Sequence, residues 1–339
     1  MSNREIGSEF WNVPISEAQN SLFPDNTVWF LSGRCALRAI IHDIQRKIHF
    51  QSVALPSWCC DSIVAPFLQA GVTVKFYSVY MASGQLKQDF AEAVGCDAVL
   101  VMDFFGYRRL ESFSYDGLVI YDATHSAFSP SVIDADYTFG SLRKWAGFSS
   151  GGFAYAKSGM LEAVVSEIGA DYIAMRRMAM EKKRTYISGC TGSKEFLQMF
   201  GKAEEILDVA SREAGAEEDV YVAKHLDVKQ IVSRRRENAA ILLDAFSDFA
   251  VFPELRTNDC PLFVPLLIPD GKRDALKRHL ISRGIYCPVH WPLTSFHTLQ
   301  EHQTTIYSEE ISLVCDQRYD ERDMERICKE INVFLNRGN

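Results

Sequence analysis

This chain of 339 residues lacks paired cysteines. It has nine cysteines, an odd number; none form a Cys-x-x-Cys pair, and the one vicinal pair is Cys59-Cys60. Cys287 and Cys315 lie within apolar runs, where a free thiol packs as a small hydrophobic group. The pattern excludes a disulfide scaffold and predicts a protein of the reducing cytoplasm.

Long apolar runs and an excess of basic residues are missing as well. No stretch approaches the roughly 18 apolar residues of a membrane helix, and the first residues, MSNREIGSEFW, lack the apolar core of a signal peptide. The 36 basic residues form no long stripe and are outnumbered by 44 acidic ones, for a net charge of −8. We therefore expect neither a membrane nor a nucleic acid as a partner.

Apolar strands alternate with helical segments in the first half of the chain. Helical spacing or capping signals occur at residues 34–48 and 61–69, and short apolar runs that predict strands occur at 52–55, 72–79, 97–103 and 117–121. A polar helical stretch is expected before residue 97. The alternation predicts an α/β fold: a mainly parallel sheet with helices on both faces, and with ligands at the carboxyl ends of its strands.

The second half has a different pattern. Residues 158–245 are mostly helical, with an interruption at 188–193, and an α+β pattern follows from Pro261. Its predicted strands and helices are 262–268, 271–283, 285–291 and 321–335. We predict a large domain with a helical extension, residues 1–229, and a smaller C-terminal α+β domain, residues 230–339.

Lys144 lies in a polar, glycine-rich turn, 22 residues after a predicted strand that runs into Asp122. A pyridoxal-phosphate (PLP) enzyme needs an amine to hold the cofactor aldehyde as a Schiff base and a carboxylate to keep the pyridinium nitrogen protonated. The order and the flanking residues predict these roles for Lys144 and Asp122. A surface lysine and a helix N-cap are the respective alternatives.

Two further polar residues lie close to this pair in sequence. Ser141, three residues before Lys144, is near enough to serve the same cofactor. His125, three residues after Asp122, is either a hydrogen-bond partner of the cofactor's phenolic oxygen or a satisfied interior histidine.

Residues 30–37 contain a Ser-Gly turn that opens a helix. Free backbone N–H groups and the positive end of the helix dipole suit a phosphate, so Gly33 is a candidate ligand. Trp58, just past a strand end, either stacks on a planar ring or simply packs. No Gly-x-Gly-x-x-Gly follows the first strand, which disfavours a Rossmann-type binding protein.

Together these residues resemble the DegT/DnrJ/EryC1/StrS family, PLP-dependent aminotransferases with the type I aminotransferase fold. The turn at residues 32–37 is similar to the family's Ser-Gly-Thr-x-Ala-Leu phosphate turn. Residues 122–125, Asp-Ala-Thr-His, are similar to its Asp-Ala-Ala-Gln/His element, and Lys144 with Gly151-Gly152 matches its Schiff-base segment. The resemblance runs from about residue 28 to the end.

Three departures indicate a divergent branch. Arg34 replaces the usual Thr, so the phosphate site loses a hydroxyl and gains a guanidinium, and Cys60 takes the place of the ring-stacking aromatic. The family's Gly-x-Asn-x-Arg segment, whose Asn reaches the neighbouring subunit's phosphate, has no counterpart between residues 160 and 200. The basic residues there that are available to replace it are Arg176, Arg177 and Lys183.

The resemblance implies an aminotransferase that takes an amino group from an amino acid, with glutamate the expected donor. The acceptor would be a keto-sugar or related keto compound of polysaccharide or secondary-metabolite biosynthesis. The resemblance also implies a homodimer with a shared active site. Two alternatives remain: a PLP enzyme of another reaction type, elimination or condensation, and a PLP-fold protein that has lost catalysis and serves as a scaffold or regulator.

Overall fold

Most of the first half of the chain folds around one large sheet. The structure is a computed structural model that describes residues 5–110, 113–297 and 299–336. In chain order its strands are β1 (Ile6–Gly7), β2 (Val28–Phe30), β3 (Ser52–Pro56), β4 (Thr73–Ala82), β5 (Gln85–Asp89), β6 (Ala98–Met102), β7 (Leu118–Asp122), β8 (Tyr137–Ser141), β9 (Gly152–Ala156), β10 (Val264–Leu267), β11 (Ile285–Tyr286) and β12 (Glu310–Leu313).

Eight of these strands form the large sheet, in the order β2-β9-β8-β7-β6-β3-β4-β5. The five central strands, from β8 to β4 in that order, pair in parallel, whereas β9 pairs antiparallel with both β8 and β2 at one edge and β5 pairs antiparallel with β4 at the other. The predicted α/β fold with a mainly parallel sheet is confirmed. All the carboxyl ends of the central strands therefore lie along one edge, where a ligand site is expected.

Helices cover both faces of this sheet, as predicted. In chain order, the helices of the described residues are α1 (Gly33–Lys47), α2 (Asp61–Gln69), α3 (Glu167–Ile187), α4 (Glu195–Val209), α5 (Glu217–Lys224), α6 (Val228–Phe246), α7 (Arg273–Ser282), α8 (Glu301–Glu309) and α9 (Glu321–Asn336). One face packs in a core with α1 to α4, and the opposite face packs in a core with α5, α6 and α8.

Helix α1 shows how the sequence directs this packing. Leu37, Ile40, Ile41 and Ile44 recur at helical spacing and are buried against the sheet. The helix starts because the Ser32 hydroxyl accepts the N–H of Cys35 at 3.2 Å, which satisfies one of the free donors of the first turn.

The prediction of a polar helical stretch before residue 97 is wrong. Instead of a polar helix, β4 turns at Ser83-Gly84 into the antiparallel edge strand β5, and a short 3₁₀ turn follows at Ala91–Ala93. Both turn residues have positive φ, 52° and 71°, the geometry of a tight two-residue hairpin. An edge strand exposed on alternate residues shows little apolar periodicity, so its polar sequence is compatible with a helix as well.

The C-terminal part packs α6, α7 and α9 around the antiparallel pair β10 and β12. The N-terminal strand β1 joins this part by pairing with β11. The strand predicted at 285–291 is shorter than expected and ends at Tyr286, whereas the terminal helix is confirmed. The boundary predicted after residue 229 falls within α6 and stays a prediction. Among the described residues, no helix is long and apolar enough to cross a bilayer.

Candidate active site

The ends of two central strands and the start of α1 meet around a cavity of about 210 Å³. We call it the smaller cavity; its walls include Gly33, Asp122, His125, Ser141 and Lys144. Asp122 ends β7 and Ser141 ends β8, and these neighbouring strands are parallel, so both side chains reach the same edge of the sheet. The structure thus brings together five residues that the sequence predicted as one site.

Lys144 lies at the end of a 3₁₀ turn, Leu142–Lys144, that follows β8 directly. Its side chain is exposed and lines two cavities at once, the smaller one and a larger one of about 570 Å³. A lysine between two adjoining cavities has its amine available to groups bound in either of them.

Asp122 is a buried carboxylate, 3 % exposed. It accepts the N–H of Thr124 at 2.8 Å in a local turn, and the residues that follow form turns rather than a helix, so it is not a helix N-cap. Burial raises the pKa of Asp122 to about 6, although its bonds to Thr124 and the charge of Lys144 act in the opposite direction. A buried carboxylate of this kind is stabilised by a cationic N–H donor.

The His125 imidazole is clamped between two aromatic rings. Its centroid lies 4.8 Å from that of Phe105 and 5.4 Å from that of Trp291, both nearly parallel to it. Burial, with the charge of Lys144 and the nearby ring of His290, holds the pKa of His125 well below its usual value. The neutral ring accepts the Phe105 N–H at Nδ1, 3.4 Å, so Nε2 carries the proton and is a hydrogen-bond donor.

Ser141 and Gly33 form one wall of the smaller cavity. The Ser141 hydroxyl is buried and has no hydrogen-bond partner among the described residues. A Cβ added to Gly33 would lie 3.3 Å from the Ser141 Cβ, so glycine keeps this approach open. An unsatisfied hydroxyl beside the start of a helix can bind an anion.

Arg34 lines the same cavity, but its guanidinium is also engaged at the surface. Its Nη1 donates to Asp208 of α4 at 2.7 Å, whereas its buried Nε has no partner among the described residues. One side of the group therefore remains for a ligand.

Trp58 does not reach the smaller cavity, which corrects the expectation that it stacks on a bound ring. Its indole is fully buried, stacks on Phe104 at 4.9 Å, and donates Nε1–H to the backbone oxygen of His290 at 2.7 Å. Cys60 and Trp291 line the cavity instead. Sequence reasoning missed Trp291 because it follows β11 in the C-terminal part, far along the chain from the other site residues.

Helix α4 forms a wall of the site on the sheet face that packs against α1 to α4. Glu204 of α4 lines both cavities and accepts Nη1–H groups of Arg143 at 2.5 Å and of Arg176 at 3.3 Å. Burial would raise the pKa of Glu204, but the two guanidinium groups outweigh it and lower that pKa to about 2. Glu204 is therefore ionised and balances the charge of Arg143 beside Lys144.

The larger cavity lies between the sheet and the C-terminal part. Its walls include Phe10 from the N-terminal segment, Lys277 of α7, His290 and Arg318. Arg318 is held by Asp316 at 2.8 Å and by backbone oxygens of residues 8 and 9. The sequence predicted none of these as site residues, because they become neighbours only when β1 pairs with β11.

The three basic residues considered as substitutes for the missing Asn all contact other residues of their own chain. Arg176 is buried against Glu204 and Glu9, Lys183 donates to the Glu9 backbone oxygen, and Arg177 pairs with Glu218 at 3.0 Å. Burial, with the charge of Arg318, lowers the pKa of Lys183 to about 7. Arg177 alone of the three is partly exposed, so a contact with a second chain stays a prediction for that residue.

The fold is similar to that of solved aminotransferases. The aminotransferase TlmJ from Streptoalloteichus hindustanus has a TM-score of 0.64 at 14 % identity, over 92 % of this chain and 86 % of that one. A DegT DnrJ EryC1 StrS aminotransferase from Brucella abortus has a TM-score of 0.57 at 14 % identity, over 91 % and 85 %. PseC of Helicobacter pylori, an aminotransferase of pseudoaminic acid biosynthesis, has 0.61 at 12 %, over 97 % and 100 %.

These likenesses confirm the predicted fold, that of the type I aminotransferases. No protein-family model and no curated protein matches the chain in sequence. Where the chain is described, no group of three or more His, Cys, Asp or Glu residues is placed to hold a metal ion.

The residues of the smaller cavity fit PLP. A buried carboxylate that forms no ion pair with any described residue suits the pyridinium nitrogen, and a histidine Nε2–H is a donor for the phenolic oxygen. The unsatisfied Ser141 hydroxyl and the N-terminus of α1 suit the phosphate, and Lys144 supplies the amine for the aldehyde.

Proposed function

We propose that this protein is a PLP-dependent aminotransferase of the DegT/DnrJ/EryC1/StrS type. It transfers an amino group from an amino acid, glutamate being the expected donor, to a keto-sugar or related keto acceptor. The observation that carries the proposal is the position of Lys144, which lines the cofactor-sized smaller cavity and the larger cavity together. An aminotransferase requires one amine that reaches both the cofactor and the substrate.

When bound, PLP supplies an electron-withdrawing ring that stabilises negative charge at the substrate carbon. Asp122, whose pKa burial raises to about 6, would hold the ring nitrogen in its protonated form, and that cation would lower the pKa of Asp122 again. The N–H of His125 would orient the phenolic oxygen, and Ser141 with Gly33 would bind the phosphate.

Lys144 would hold the cofactor aldehyde and, as a free amine, would move a proton at the substrate carbon. Positioned general acid–base catalysis contributes about 10²–10⁴-fold to a rate. The larger cavity, whose walls include His290 and Lys277, holds the small-molecule substrates. Its aromatic and aliphatic walls, among them Phe10 and Phe263, exclude water from the reacting carbon.

A homodimer in the cytoplasm, with the active site shared between subunits, belongs to this proposal. Exposed apolar side chains support an interface: Met160 is 73 % exposed, Val165 91 % and Ile168 37 %, all close to the start of α3. Equilibrium sedimentation should give a particle of two chains, and Val165→Asp should shift it toward one chain.

The central experiment is spectroscopic. Purified protein supplied with PLP should turn yellow, and borohydride should bleach the colour and leave the cofactor covalently attached to one peptide, the one containing Lys144. Added glutamate should discharge the visible absorption of unreduced protein as its amino group passes to the cofactor.

Lys144→Ala tests the assignment, with Lys157→Ala as the matched control because Lys157 is an exposed lysine paired with Asp134 at 2.8 Å. Covalent attachment that persists in Lys144→Ala would show that another lysine serves. Protein that takes up no PLP would overturn the proposed function. Protein that binds PLP at Lys144 and ignores amino donors would favour a scaffold or another reaction type.

A further inference from the structure

Three buried polar side chains form a hydrogen-bonded chain beneath the larger cavity. The Ser312 hydroxyl donates to Glu310 Oε1 at 2.5 Å, and His290 Nδ1 lies 2.9 Å from the Ser312 oxygen. Glu310 Oε2 also accepts the backbone N–H of His290 at 2.6 Å. Glu310 and Ser312 are fully buried and are two residues apart in β12, so both face His290.

The chain ends at the cavity that Lys144 enters. His290 lines the larger cavity, and its ring centroid lies 6.2 Å from that of His125. Since Ser312 occupies Nδ1, the nitrogen left to face the cavity is Nε2. The rings of Phe105 and Phe263, each 5.1 Å away, fix the orientation of the imidazole.

The direction of the hydrogen bonds links the proton on Glu310 to the proton on Nε2. With Glu310 ionised, the Ser312 hydroxyl donates to it, Nδ1–H donates to Ser312, and Nε2 faces the cavity without a proton. With Glu310 protonated, its O–H donates to Ser312, the hydroxyl donates to Nδ1, and Nε2–H faces the cavity. The two arrangements differ by one proton.

We propose that Glu310, Ser312 and His290 form a proton relay between a buried carboxyl group and the larger cavity beside Lys144. A base in the cavity, such as the Lys144 amine, removes the proton from Nε2 of His290. Nδ1 takes the Ser312 proton and Ser312 takes the Glu310 proton, which leaves a carboxylate; the reverse sequence returns the proton. The catalytic use of this relay rests on the proposed function, whereas the relay itself does not.

Several charged or titratable groups face the two ends of the relay. Arg273 and Lys277 of α7 and the thiol of Cys287 surround Glu310, and Lys277, Lys144 and His125 surround His290. Burial raises the pKa of Glu310 to about 8, although its hydrogen bonds and the α7 cations oppose this. Burial and the two lysines lower the pKa of His290 to about 3. Near neutral pH the exchanging proton therefore belongs to the carboxyl group, and the imidazole stays neutral.

The test is nitrogen NMR of the histidine rings in cofactor-free protein, with the His290 signals assigned from their loss in His290→Gln. In the wild type the proton of His290 should lie on Nε2 below about pH 8 and on Nδ1 above it. Glu310→Gln mimics the protonated acid and should keep it on Nε2 at every pH. Ser312→Ala should abolish the pH-dependent switch, and Ser312→Thr should restore it.

A wild-type tautomer that does not change with pH would overturn the relay, as would a Ser312→Ala protein that switches like the wild type. If Glu310→Gln does not fold, the Ala and Thr variants of Ser312 decide the question alone. In the PLP-loaded wild type, the dependence of kcat on pH should show an ionisation near pH 8. Ser312→Ala should abolish this ionisation and leave KM unchanged. Colourless protein with an intact NMR switch would reject the proposed function and still support the relay.

Discussion

The two cavities that meet at Lys144 are built in different ways. The smaller cavity draws mainly on residues within about 110 positions of one another, at the start of α1 and the ends of β7 and β8. The larger cavity combines residues 7–10, the middle of α4 and the segments around His290 and Arg318. The smaller cavity is a property of the parallel sheet, whereas the larger cavity depends on how the two ends of the chain dock on that sheet.

The two cavities also differ in how their polar groups are satisfied. Among the described residues, the Ser141 hydroxyl in the smaller cavity has no hydrogen-bond partner and Asp122 forms no ion pair, although the charge of Lys144 acts on it from a distance. Both are expected of groups that await a ligand. In the larger cavity, Arg318 and Asp316 pair with each other and His290 is tied to Ser312. On the proposed function, cofactor chemistry would depend on the sheet edge and substrate choice on the C-terminal wall.

The largest effect is expected for Asp122→Asn. PLP affinity should fall about 10- to 100-fold, because a hydrogen bond to a charged group contributes about 1.5–3 kcal/mol. Cofactor-free protein should respond in the opposite way. The pKa of Asp122 is raised in the folded state, so its contribution to stability is present below its ordinary pKa and is lost as pH rises through about 6.

At pH 7 the Asn variant without cofactor should thus resist urea better than the wild type, and the advantage should vanish in acid. Spectrophotometric titration with PLP and urea unfolding at two pH values measure both effects. Lower stability of the cofactor-free variant at pH 7 would show that Asp122 is satisfied without a ligand.

Trp58→Phe should affect stability and leave the site intact. The free energy of unfolding should fall by about 1–3 kcal/mol, because the buried backbone oxygen of His290 loses its donor. PLP affinity should stay at the wild-type value, whereas Trp291→Phe should weaken it because Trp291 lines the cavity. If Trp58→Phe weakens PLP binding and Trp291→Phe does not, Trp58 belongs to the cofactor site.

Ser141→Ala should weaken PLP binding about fivefold, the effect of one hydrogen bond worth about 1 kcal/mol. The stability of the cofactor-free protein should not fall, because the hydroxyl has no partner there to lose. Thermal unfolding with and without PLP separates the two effects. Destabilisation without cofactor would mean that the hydroxyl has a structural role.

The smallest effect is expected for Lys277→Ala on the wall of the larger cavity. Lys277 makes no ion pair with any residue that the structure describes, and a solvated charge pair contributes about 0.2–1 kcal/mol. KM for an anionic substrate should therefore rise no more than about fivefold, with kcat unchanged, and the difference should shrink at high salt. Lys272→Ala, next to the same helix and outside the cavity walls, is the control.

Much of the fold was open to prediction, since buried parallel strands are short apolar runs with helices between them. The runs at 52–55, 72–79, 97–103 and 117–121 became β3, β4, β6 and β7 within a few residues, whereas the central strand β8 was not predicted. The hairpin of β4 and β5 was missed because an edge strand has one polar face and resembles a helix in composition. Helix α8 lies in a stretch for which the sequence predicted no element.

The sequence by itself singled out Gly33, Asp122, His125, Ser141 and Lys144, and the parallel strands, which end at one edge of the sheet, bring them together around the smaller cavity. The tertiary structure alone decided that Trp58 packs inside while Trp291 lines the cavity, and that Glu310 and Ser312 are hydrogen-bonded to His290, which lines the larger cavity together with Lys144. Contacts between segments more than 100 residues apart depend on side-chain packing and on docking of the chain ends. The periodicity of apolar residues along the sequence specifies neither the packing nor the docking.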